Sequence, residues 1–116
     1  MILIMIVKGT KISLTRGDSA HISVSCTANG EARPFVDGET VYFTVKKSIY
    51  TEEILIQKII TTFDNGEALI KLDPSDTAGL DFVDYVYDVQ VNLIDGTVAT
   101  IVKPSTFSVT GEVTYD

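Results

Sequence analysis

The stretch Asp84-Tyr-Val-Tyr-Asp-Val-Gln-Val-Asn-Leu-Ile94 decides the fold class. Tyr85, Tyr87, Val89, Val91 and Leu93 fall on one side of an extended chain, and Asp84, Val86, Asp88, Gln90 and Asn92 on the other. A period of two with apolar and polar sides marks a strand with one buried face. Asp95-Gly96 follows directly, a dipeptide that accepts positive φ, so residues 97–102 are expected to return as the second arm of a hairpin.

The same grammar extends in both directions. In His21-Ile-Ser-Val-Ser-Cys26 the apolar side is Ile22, Val24 and Cys26. In Val41-Tyr-Phe-Thr-Val-Lys46 it is Val41, Phe43 and Val45, and further on Ala68, Ile70 and Leu72 alternate with Glu67, Leu69 and Lys71. Asn29-Gly30, Asp37-Gly38 and Asn65-Gly66 punctuate these runs, and Asn65-Gly66 reads as a hairpin turn between 54–63 and 67–72. Residues 51–63 carry a faint helical stripe, but Ile54, Ile56, Ile59, Ile60, Thr61 and Thr62 are β-branched and favour a strand. Pro74–Gly79 reads as a turn or a single helical turn. Met1-Ile-Leu-Ile-Met-Ile-Val7 has no positive leading region and no small-residue cleavage site, so residues 2–7 are expected to form a strand that is apolar on both faces. Without a linker, repeat or low-complexity tract, residues 1–116 are expected to form a single domain.

Composition narrows the function classes. The chain is 45% hydrophobic and 22% charged, which suits a packed core rather than disorder. A net charge of −7 and scattered cations argue against a nucleic-acid partner, because phosphate binding needs clustered Lys and Arg. No run approaches the ~20 apolar residues of a membrane helix, so no membrane partner is expected. Cys26 is the one cysteine, which rules out an intrachain disulfide.

Two local features turn a generic sandwich into an immunoglobulin-like one. Tyr85 follows Asp76-Thr-Ala-Gly79 at the position where such domains place a corner tyrosine, whose hydroxyl bonds back to upstream backbone. Cys26 occupies the inward side of an early strand, where antibody domains carry one half of their disulfide, and Tyr87 stands at the partner position. Phe43 takes the place of the usual core tryptophan, since the chain has none. The expected fold is therefore all-β, an immunoglobulin-like antiparallel β-sandwich of about 7–9 strands, disulfide-free, with Cys26 buried.

Reactive chemistry is sparse. Gly17-Asp18-Ser19 matches a serine-nucleophile triplet, but His21 lies two residues away on an extended strand and cannot serve Ser19 as a base; a turn is the better reading. Cys26 is read as core and His21 as a solvated surface residue, and one of each makes no zinc site. Asp73, Asp76, Asp81, Asp84 and Asp88 form the one acidic cluster that calcium would favour, without the spacing of a calcium loop. Hence no catalytic, cofactor or metal residues are expected. Tyr42, Tyr50 and Tyr115 form the candidate interaction surface, with Leu69 and Val86 also turned outward; each of them is equally compatible with packing singly beneath a loop.

Several segments, in their order and spacing, carry a family resemblance. They are Gly17-Asp-Ser-Ala-His-Ile-Ser-Val24, Val41-Tyr-Phe-Thr-Val-Lys-Lys47, Leu55-Ile-Gln-Lys58, Leu72-Asp-Pro-Ser-Asp-Thr-Ala-Gly-Leu80, Tyr85-Val-Tyr-Asp-Val-Gln-Val91, Asp95-Gly96 with Thr100-Ile101, and Phe107-Ser-Val109. Over residues 12–115 the chain resembles small immunoglobulin-like structural proteins of tailed phages and prophages of Gram-positive bacteria. It is more distantly similar to the N-terminal domain of phage baseplate upper proteins. The resemblance implies a non-enzymatic virion structural or accessory protein, associated with tail or baseplate and working through protein–protein assembly. It would be made in the cytoplasm of a bacterial host and then join the virion, its partners being other virion or surface proteins or further copies of itself. No catalytic residues come with it. The alternative is a cell-surface adhesion or carbohydrate-binding β-sandwich module.

Overall fold

In a computed structural model, which describes residues 11–111, strand β8 (Asp84–Asn92) lies at the middle of the largest sheet. Its alternation of buried and half-buried residues follows the two-residue period of its sequence. On one side it pairs antiparallel with β5 (Thr40–Lys46), on the other with β9 (Val98–Thr110), across the turn at Asp95-Gly96. β6 (Ile56–Ile60) adds antiparallel to β5, and β1 (Ile12–Thr15) adds parallel to β9, giving the order β1-β9-β8-β5-β6. A second sheet pairs β2 (Ala20–Val24) with β7 (Ala68–Leu72), Ile22 facing Ile70. Between them in sequence, β3 (Thr27–Ala28) and β4 (Glu31–Ala32) form a small hairpin. Its turn residues Asn29 and Gly30 both have positive φ, the conformation that matches strand twist in a two-residue turn.

One hydrophobic cluster joins the inward faces of the two larger sheets. Val41, Phe43, Val45, Tyr85, Tyr87, Val89 and Phe107 come from the large sheet, and Ile22, Val24, Ala68, Ile70 and Leu72 from the small one. At its centre Phe43 lies 5.5 Å from Tyr87 and 6.3 Å from Phe107, ring centre to ring centre, at the tilted and edge-on angles that aromatic quadrupoles favour. These rings occupy the middle of the core. α1 (Pro74–Thr77) is the single helical turn among the described residues; Pro74 opens it, and Asp73 N–H donates to Asp76 Oδ2 at 2.7 Å. The architecture is all-β apart from this turn.

Three expectations need correction. Residues 51–55 and 61–63 are not strand: β6 spans only Ile56–Ile60, and before it Ser48–Thr51 closes a turn on itself through a Ser48–Thr51 hydroxyl contact at 2.9 Å. Asn65-Gly66 is a tight turn, with Asp64 and Glu67 exchanging both backbone hydrogen bonds at 3.0 Å, but no hairpin extends from it. β6 spends its backbone pairing on β5, and residues 61–63 carry the chain across to the other sheet, with Phe63 stacking on buried Phe35 at 5.2 Å. Cys26 is half-buried rather than buried, because β2 ends at Val24 and the thiol turns to donate to Thr27 O at 3.6 Å. The expected strand at 2–7 lies outside the described residues.

Candidate functional site

The outward residues of the large sheet meet in a groove. Register sets Thr44 opposite Asp88 on one flank and opposite Gln57 on the other, while Tyr42 faces Gln90. Because alternate residues of β5 and β8 point outward, Tyr42, Thr44 and Lys46 lie beside Val86, Asp88, Gln90 and Asn92 and line the groove floor together. The turn after β5 supplies one wall through Ser48, Ile49 and Ile54; Val98 and Pro104 of β9 supply the other. The groove encloses about 560 Å³.

The β9 wall depends on irregular pairing. Between Tyr87 and Gln90 the register slips twice, so β9 carries extra residues opposite β8 there. Lys103 and Pro104 fall in the first slip, a place where a residue without an N–H costs no ladder bond. The bulge thus places Pro104 at the groove rim.

Electrostatically the groove is balanced. Burial raises the Asp88 carboxyl above its usual range, while the Lys46 ammonium and a hydrogen bond with Gln90 pull it back. Gln57 Nε2 donates to Thr44 Oγ1 at 3.2 Å, orienting one amide on the floor. Two tyrosines (Tyr42 and the largely buried Tyr87), three side-chain amides, the hydroxyls of Thr44 and Ser48 and one offset pair of charges therefore share a single concave face.

The residues singled out from sequence are distributed differently. Tyr42 lines the groove; Tyr50 is 90% exposed and does not, and Tyr115 lies outside the described residues. Leu69 is exposed on the other sheet, and His21 is exposed on β2. Phe43 and Tyr87 are buried, and burial pushes the Tyr87 hydroxyl up to about 12. The Tyr85 hydroxyl accepts a 2.9 Å hydrogen bond from Asp81 N–H, four residues upstream. Burial raises the Cys26 thiol, with Arg33 acting against it. Gly17, at positive φ, turns the chain into β2 and donates its N–H to buried Thr77 Oγ1 at 2.8 Å.

The five aspartates do not converge. Asp73 and Asp76 serve α1, Asp76 pairs with Lys58 at 2.9 Å, and Asp84 and Asp88 stand apart on the outer side of β8. Among the described residues no three acidic, histidine or cysteine side chains gather as a metal would require.

Sequence reasoning missed the shared position of Thr44, Gln57, Asp88 and Gln90. Alternation marks each as outward, but only register shows which are neighbours. It also missed the clamp of Arg33 on buried Glu39, two hydrogen bonds between parallel pairs of atoms, with Val36 N–H adding a third at 3.1 Å. Arg33 holds the Glu39 carboxyl below its usual range against the opposing effect of burial.

No protein-family model matches the chain, and no curated protein is significantly similar to it. Among solved structures, the backbone is similar to the N-terminal domain of phage TP901-1 ORF48, with a TM-score of 0.51 at 18% identity. The match covers 88% of this chain and 84% of that one, and at this identity it shows likeness of fold.

Proposed function

We propose that this chain is an immunoglobulin-like sandwich domain that serves as a non-enzymatic structural or accessory component of a phage or prophage particle, tail- or baseplate-associated, and works by protein–protein assembly. The observation that carries the reading is the backbone likeness to a phage protein domain over most of both chains. The order and spacing of segments from Gly17 to Val109, which resemble those of phage structural proteins, point the same way. The immunoglobulin-like assignment draws on the strand order, the parallel β1–β9 pair and the Tyr85 hydroxyl bonded back to Asp81.

Assembly needs faces and edges rather than reactive groups. Among the described residues β6 has β5 as its one strand neighbour, so its outer edge is available to another strand. Ile49, Tyr50, Ile54 and Ile59, on β6 and the connection before it, are exposed large apolar residues of the kind that anchor interfaces. Against nucleophilic chemistry, Cys26 has its thiol raised by burial, and a raised thiol is a poor source of thiolate. Mass spectrometry of particles purified after prophage induction tests the proposal. The protein should co-purify in fixed stoichiometry with tail proteins, and its repeated absence from intact particles overturns the reading.

A further inference from the structure

We infer that the groove on the outer face of the large sheet is a binding site for a neutral saccharide, a role that goes beyond assembly and does not depend on it. The volume of about 560 Å³ falls within the ~300–1,000 Å³ typical of small-ligand sites. Its floor is built on β5 and β8, which have strands on both sides, so apart from the slips between Tyr87 and Gln90 their backbone groups are engaged in the ladder. Recognition there must come from side chains, which disfavours an extended peptide, a ligand that binds through free backbone at an edge.

The side chains on offer suit a ring of hydroxyls. Beyond their bonds to Thr44 and Asp88, Gln57 and Gln90 each keep a second amide hydrogen and an acceptor oxygen; Asn92 presents a donor and an acceptor, and Asp88 keeps acceptor capacity beside Gln90. Vicinal hydroxyls, each both donor and acceptor, can satisfy these groups in pairs. Tyr42, opposite Gln90, adds an aromatic surface for the C–H side of a sugar ring, and its hydroxyl adds a polar tip. Charge selects the class. Lys46 and Asp88 offset one another inside the groove, and the chain as a whole carries −7, which repels anionic ligands. A phosphorylated or carboxylated sugar is therefore disfavoured, and a neutral one fits.

The test uses the full 116-residue chain, labelled with ¹⁵N and titrated with millimolar glucose, galactose, rhamnose and N-acetylglucosamine, with glucose 6-phosphate as the charged counterpart. The expected result is a saturable shift of amide signals on β5 and β8 with at least one neutral sugar, and weaker binding of the phosphate. Asp88→Asn keeps the shape and Gln90→Ala removes one amide; each should weaken binding about tenfold or more while the remaining spectrum stays folded. Absence of saturable shifts with every neutral sugar overturns the inference. So does binding that maps elsewhere, binding that survives both variants, or tighter binding of glucose 6-phosphate.

Discussion

At Tyr85, a single phenol oxygen holds the chain where it enters β8. Asp81 N–H has that oxygen as its partner at 2.9 Å, while the ring itself is buried. Tyr85→Phe keeps the ring and removes the acceptor of the exposed Asp81 N–H, so urea denaturation should show a loss of about 1 kcal/mol with an unchanged folded spectrum. Glu39 is the acid-sensitive counterpart. Its carboxyl is held below the ordinary 4.5, so the stability it contributes is complete above that pH and is lost as pH falls through the folded value. Arg33→Ala should cost about 2 kcal/mol at neutral pH, since it leaves a buried carboxylate with one backbone donor, and the cost should shrink towards pH 3. Tyr87 works in the opposite sense. Its folded value of about 12 exceeds the ordinary 10.0, so its contribution is complete below pH 10 and disappears between there and 12; absorbance titration of Tyr87→Phe should lack the most alkaline of the phenol steps. Tyr85, Tyr87 and Phe43 could be placed from sequence because alternation alone fixes which face a strand residue takes. Glu39 could not, because a charged residue is buried only when a partner such as Arg33, six positions away through an irregular loop, folds back onto it.

Among the elements, the turns separate what is local from what is not. Asn65-Gly66 adopts the positive φ that its dipeptide favours, yet the strands on either side belong to different sheets. Turn chemistry is local, whereas the choice of strand partner depends on the whole core; β6 was legible as a strand for the first reason and mis-paired for the second. A glycine comparison tests how tightly this crossing is packed. A Cβ on Gly66 would collide with the Pro34 ring, whereas one on Gly30 would meet nothing within 4 Å, and both residues have positive φ. Gly30→Ala should therefore cost only the backbone penalty of about 1–2 kcal/mol, and Gly66→Ala clearly more, as read from paired thermal melts. The extent of β9 was equally hidden. Lys103 and Pro104 look like a strand end in sequence, and only the two register slips against β8 let the strand run through them to Thr110.

The whole molecule is closed by contacts remote in sequence: β2 with β7, β5 with β8, and β1 with β9. Such a topology delays its stabilising contacts until long loops have closed, so refolding by stopped flow should take milliseconds to seconds rather than microseconds. The all-β class was legible because it follows from a two-residue period. The groove was not, because Thr44, Gln57, Asp88 and Gln90 become neighbours only through register across three strands. The parallel β1–β9 pair has a mechanical consequence. Ile12 lies opposite Phe107 and Thr15 opposite Thr110, so the chain enters beside one end of this ladder and leaves β9 at the other. Tension applied through residues 11 and 111 would slide the two strands past each other, loading their hydrogen bonds all at once instead of unzipping them one by one. Arg16 N–H, which donates to Thr110 O at 3.0 Å, adds to the same lock. Pulled in that direction, the domain resists force as a shear clamp.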